Sequence, residues 1–185
     1  MILEIVHYGH PALRAKGQPV KDFDAVADLI ENMYDTMYDA FGVGLAAHQV
    51  GIPLQLCLID ITEAHKRPSK MWLNGEEVVP EEHMPLCLIN PVVKTTGKEV
   101  SGEEGCLSFP GISSRIPRPQ HVSVTAFDED GKEYSFEAEG LLARAVLHEY
   151  ERLQGKLFID LLDPEQQEKH SDDLQEFLEI NGNIA

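Results

Sequence analysis

The chain has 185 residues with 43% hydrophobic and 25% charged content, the amounts expected of one soluble domain, residues 1–185, with a substantial core. A formal net charge of -17 argues against direct attraction to nucleic acid or an anionic membrane, and no stretch reaches the roughly 18 apolar residues of a membrane span. Three cysteines build no framework of pairs, and the N-terminus has neither the basic start nor the cleavage site of an export signal, so the expected location is the reducing cytoplasm.

In chain order, Val26, Leu29, Ile30, Met33 and Met37 recur at three-to-four spacing and predict a helix over Asp24 to Ala40, started by Asp22 or Asp24 and ended by Gly42. The run Leu54 to Ile61 predicts a buried strand, and Leu86 to Val93 another that stops or bulges at Pro91. Cys57 and Cys87 lie inside these runs and read as inert core residues. Between the two runs, Glu63 to Pro85 reads as an exposed excursion. His121 to Phe127 alternates, and Asp130-Gly131 supplies a hairpin turn into Tyr134 to Ala138. A second helix starts after Gly140 and ends at Gly155, apolar enough to be buried. The acidic tail from Asp163 predicts an amphipathic helix that packs Leu174, Phe177 and Leu178 inward. This order of elements is α+β.

Within the second helix, His148-Glu149-Tyr150-Glu151-Arg152 is a zinc-hydrolase HExxH motif with its last ligand replaced. In such a helix the histidines at i and i+4 bind one metal while the glutamate handles protons. Arg152 cannot do this, because a guanidinium has no lone pair for a cation and stays protonated. Two further segments bear on the motif: Gly42-Val43-Gly44-Leu45-Ala46-Ala47-His48-Gln49-Val50-Gly51, and Glu103-Glu104-Gly105-Cys106-Leu107-Ser108-Phe109-Pro110. With His148-Glu149, and in this order, they resemble the three signature motifs of the peptide deformylases, which remove formate from the N-terminal formyl-methionine of new proteins. The resemblance runs from His10-Pro11-Ala12-Leu13-Arg14 to Lys156-Leu157-Phe158-Ile159-Asp160.

The resemblance implies small, mainly antiparallel sheets around a central HExxH-type helix, with a C-terminal helix closing the fold. It implies metal-dependent amide hydrolysis of an N-formylated peptide, with Cys106 and His148 as ligands of one divalent transition metal, iron, nickel or zinc. Glu149 takes the general-base position, and Gln49 with the backbone amide of Leu107 the oxyanion-donor positions. Val43, Gly44 and Gly105 match positions along the peptide backbone, where a missing Cβ leaves room; Leu141, the Arg144 stem and Ala145 match a pocket for the methionine side chain.

Three departures cluster on the motif helix, where Leu147, Glu151 and Arg152 stand in place of the family's glutamine, aspartate and second histidine. Two protein ligands fall below the three of a catalytic zinc centre, so metal binding is expected to be weak or absent and activity impaired. Glu151 and His48 are the conceivable replacement ligands. The alternative is a metal-free peptide- or anion-binding homologue in which Arg152 holds an anion. The acidic surface predicts weak ribosome association at most, with no direct nucleic acid binding and no membrane partner.

Overall fold

A computed structural model describes residues 1–185. Helix α1 (Ala27–Asp39) follows a 3-10 turn at Asp24–Val26, where Asp22 Oδ1 accepts the Ala25 N–H at 3.2 Å. The helix stops short of Gly42, because the exposed Phe41 already turns the chain with a left-handed φ of 55°. Helix α2 (Leu141–Leu153) carries the motif, and α3 (Pro164–Asn181) closes the chain, capped by Asp163 Oδ1 on the Gln166 N–H at 2.8 Å. The strands are β1 (Gly44–Ala46), β2 (Leu56–Ile59), β3 (Ser69–Leu73), β4 (Glu76–Val78), β5 (Leu86–Gly105), β6 (Ser113–Phe127) and β7 (Glu133–Gly140). They form one antiparallel sheet in the order β1-β2-β5-β6-β7-β3-β4. The expected α+β architecture is present: antiparallel strands around the motif helix and a C-terminal helix. No helix is long and apolar enough to cross a membrane.

Two expectations are corrected. The span from Glu63 to Pro85 is more than an excursion, since it contains the β3–β4 hairpin, turned by Asn74 and Gly75 at positive φ, and β3 pairs with β7. In β3 only Met71 is fully buried, so the strand has no apolar alternation to read. The strand at Leu86 to Val93 continues to Gly105 and pairs with a β6 that begins at Ser113. Residues 94–103 are almost all exposed, so pairing alone keeps them extended. The expected bulge at Pro91 is there as a register shift between Ile89 and Val92.

The core forms where α2 lies on the sheet. Leu142, Val146 and Leu153 are fully buried against Cys57, Ile59, Val122 and Ala138. Leu174, Phe177 and Leu178 of α3 pack half-buried on a second cluster around Phe109 and Phe158. Gly140 begins α2 at φ 73° and ψ -144°, where a Cβ would stand 2.3 Å from the Pro68 carbonyl oxygen. Only glycine takes this conformation readily, and it sets the angle at which β7 feeds the motif helix.

A buried ionic cluster ties α2 to the sheet. Glu104 of β5 accepts from Arg118 of β6 through Nε at 2.6 Å and Nη2 at 2.9 Å, and from Arg144 Nη1 at 2.6 Å. His148 Nδ1 lies 2.9 Å from the other side of the same carboxylate. Arg118 Nη1 also donates to Glu151 at 2.9 Å, and Arg144 donates to the Ile116 and Val100 carbonyls at 2.8 and 2.6 Å. Gly102 makes the Arg144 path possible, because a Cβ there would stand 2.8 Å from Arg144 Nε. Burial raises the Glu104 pKa, but His148 and Arg118 outweigh it and bring it from 4.5 to about 2.

Two outcomes follow from these contacts. Gly140→Ala costs roughly 1–3 kcal/mol of stability, read as a lower urea midpoint with unchanged slope. Glu104→Gln leaves the buried Arg144 guanidinium without a counter-charge and Arg118 with Glu151 alone, and costs about 3–5 kcal/mol at neutral pH. The folded pKa of Glu104 lies below its unfolded value, so its stabilisation is present above pH 4.5 and fades as pH falls toward about 2. An acid titration of the parent loses stability across that window, and the variant shows a smaller loss there.

Candidate active site

The three motifs meet at a cavity of about 600 Å³. Helix α2 contributes Leu141, Arg144, Ala145, His148 and Glu149; the β1 segment contributes Val43 and Gly44, and the turn after it Gln49; the end of β5 and the turn beyond bring Gly105, Cys106 and Leu107. Of the residues singled out in the sequence, Arg152, the two other departures Leu147 and Glu151, and His48 do not line this cavity. The Gln49 amide is held in one orientation, since its Oε1 accepts the Ala46 N–H at 2.9 Å. Its Nε2 therefore points toward Cys106 Sγ at 3.6 Å and Ser108 Oγ at 3.3 Å. The Ser108 N–H also faces Sγ, at 3.3 Å.

The two glycines differ in what a Cβ would meet there. A Cβ on Gly44 would stand 3.1 Å from Glu149 Cγ and Oε1, so this absence first makes room for the Glu149 side chain. At Gly105 the nearest atom to a Cβ would be the Ile112 carbonyl oxygen at 3.4 Å, an ordinary contact. The Arg144 stem borders the cavity while its guanidinium turns away to Glu104.

Arg152 lies beneath the site, 1% exposed. Its Nη2 meets His148 Nε2 at 2.5 Å, and its Nη1 stands 3.8 Å from Glu149 Oε1. Arg152 Nε and Nη1 have no hydrogen-bond acceptor, and Glu149 Oε2 has no donor. Burial, the largest effect, and the Arg152 charge oppose a proton on the His148 ring, against the pull of Cys106 and Glu104. A contact as short as that with Arg152 has room for one hydrogen only, so the resting ring is the neutral Nδ1–H tautomer, donating to Glu104 and accepting from Arg152. The positive charge of the site therefore rests on Arg152. Burial is the largest effect and opposes ionisation of the Cys106 thiol, but the Arg152 charge and His148 together outweigh it and bring the pKa below the ordinary thiol value.

These residues do not fit a catalytic metal. The Nε2 lone pair that would face a cation is taken by the guanidinium, and no group of three His, Cys, Asp or Glu side chains is placed to hold an ion. Neither substitute considered from the sequence reaches the pair: Glu151 is drawn to Arg118 at 2.9 Å, and His48 Nε2 lies 2.9 Å from the Ala15 carbonyl oxygen. Sequence reading missed Glu104 and Arg118 as site residues. A signal existed in the alternation Ile112, Ser114, Ile116, Arg118, which puts Arg118 on the inward face of β6, but reading it required knowing that β6 starts at Ser113.

Comparison with known proteins agrees with the motifs. The family model described as polypeptide deformylase matches residues 2–168. A peptide deformylase of Methylacidiphilum infernorum is 46% identical over 176 residues, 95% of this chain and 92% of the relative. One from Opitutus terrae is 42% identical, covering 88% of this chain and 86% of the relative. Among solved structures, the peptide deformylase from Thermus thermophilus superposes with a TM-score of 0.82 at 33% identity, covering 97% of this chain and 99% of that one. The chain belongs to the peptide deformylase family, metal-dependent hydrolases that remove the N-formyl group from nascent peptides.

Proposed function

We propose that this chain is a deformylase-type hydrolase of N-formyl-methionyl peptides whose metal centre is disabled by Arg152, so that the peptide groove persists and turnover is impaired. The observation that carries this reading is the Arg152 guanidinium on His148 Nε2 at 2.5 Å. In this reading Cys106 and His148 are remnants of the ligand set, and iron, nickel or zinc binds weakly or not at all. The Glu149 carboxylate, with Oε2 unpartnered, is free to take a proton at the cavity floor. The oriented Gln49 amide and the Leu107 N–H are the donors for an oxyanion. Val43, Gly44 and Gly105 lie along the peptide backbone, and Leu141, the Arg144 stem and Ala145 take the first side chain. The work is cytoplasmic, and the net charge of -17 keeps ribosome association weak.

Elemental analysis of the purified protein gives clearly less than one transition metal per chain. Arg152→His raises metal content and the rate of formyl-methionyl peptide deformylation together. Near-stoichiometric metal in the parent sinks the reading; metal gained without activity places the remaining defect at Leu147 and Glu151.

A second reading is favoured by the two Arg152 nitrogens without acceptors: a metal-free homologue that holds a small carboxylate. Formate or acetate then raises thermal stability, by about 2.7 kcal/mol at a hundredfold excess over the dissociation constant, and Arg152→Leu abolishes the gain. No shift of the parent's melting temperature leaves Glu149 as the counter-charge and removes this reading.

A further inference from the structure

The chain is acidic overall, with 15 Lys and Arg against 32 Asp and Glu. One cavity runs against that balance. Beside the site lies a second cavity of about 480 Å³, walled by Lys66, Arg67, Arg115, Arg118 and Arg144, with Glu103 and Glu139 as its acidic members. It adjoins the first cavity along one wall, since Arg67, Glu103, Leu141 and Arg144 line both.

The five cations differ in how they are neutralised. Arg118 and Arg144 are buried and spend their charge on Glu104, with Glu151 as a further partner of Arg118. Lys66, Arg67 and Arg115 have no carboxylate within ion-pair reach, and the Arg115 side chain donates only to the Ser101 carbonyl, at 3.3 Å. On the acidic side, Glu139 is engaged by His121 at 3.1 Å. Three cations without an ion pair therefore face a cavity in which one carboxylate, Glu103, opposes them from the position directly across the β5–β6 ladder from Arg115.

We propose that this basic cavity is a subsite for acidic side chains of the formylated peptide, and that it makes the chain selective for N-formyl peptides carrying Asp or Glu after the first residue. The inference rests on the reading of the first cavity as the formyl-peptide groove. A peptide held there already passes the shared wall, so its side chains reach the cations without further approach. A nucleic acid would have to bring many phosphates against an acidic surface to reach the same cavity. The pocket is of a size for side chains, and only two of its lining residues, Val100 and Leu141, are hydrophobic, which suits carboxylates better than methionine.

The test uses the full chain and dye-labelled N-formyl-methionyl peptides followed by a run of Asp, Ser or Lys, with binding read by fluorescence anisotropy. Screened charge pairs each change affinity by a factor of about two to five, so the Asp peptide binds about tenfold tighter than the Ser peptide, and the Lys peptide binds weakest. High salt narrows the difference. Lys66 and Arg115 are exposed, so Lys66→Ser with Arg115→Ser leaves the core intact and removes most of the preference. Equal binding of Asp and Ser peptides overturns the subsite while leaving the groove reading standing. A preference that survives in the double variant overturns it as well. Failure of every peptide to bind overturns both, and an RNA oligonucleotide that displaces the Asp peptide better than unlabelled Asp peptide does assigns the cavity to phosphates instead.

Discussion

The Glu104 carboxylate is buried with two guanidiniums and an imidazole on its oxygens, and a charge buried in this way is tolerable only while every partner stays in place. Its partners come from β6 and from the first turn and the middle of α2, so the same ion cluster that pins the motif helix to the sheet also orients His148. The tautomer of His148 follows from this. Because Nδ1–H donates to Glu104, the lone pair is on Nε2 and points toward Cys106 and Arg152. Orientation of the reacting residues is thus a consequence of how the sheet is stitched to the helix.

Arg152 enters this arrangement as a charge of the same sign that a bound cation would bring, but without an open position for water. With His148 it lowers the pKa of the Cys106 thiol, it fills the space next to His148, and it carries two nitrogens with no acceptor. The neighbouring Glu149 gives partial compensation at 3.8 Å, too long for a hydrogen bond. Beside it the Gln49 amide keeps one orientation, its Oε1 accepting the Ala46 N–H. On the proposed reading, peptide recognition rests on residues that line the cavity, whereas the loss of the metal rests on one residue beneath it.

The acidic surface and the basic cavity belong to one electrostatic design. Cations on this chain are scarce, and Arg118 and Arg144 are committed to Glu104 in the interior. Those left facing the second cavity are the ones the ionic cluster does not use.

The sequence by itself determined the family, the α+β class and the replaced ligand, because motif identity at Gly42 to Gly51, Glu103 to Pro110 and His148-Glu149 is a matter of covalent order. It also located α2 and the tail helix, whose apolar faces repeat at helical spacing. It did not reveal β3, β4 or the long arms of β5 and β6. Those strands are extended because a neighbour pairs with them, and their exposed side chains carry no period. The roles of Glu104 and Arg118 were invisible for the same reason: the two residues are brought together only by the register Glu104 opposite Ser114, which no local pattern encodes. Tertiary structure likewise decided what Arg152 does. A guanidinium in a sequence could face solvent, Glu151 or an anion, and only the packing of α2 against β6, where Arg118 has already taken Glu151, left it with His148.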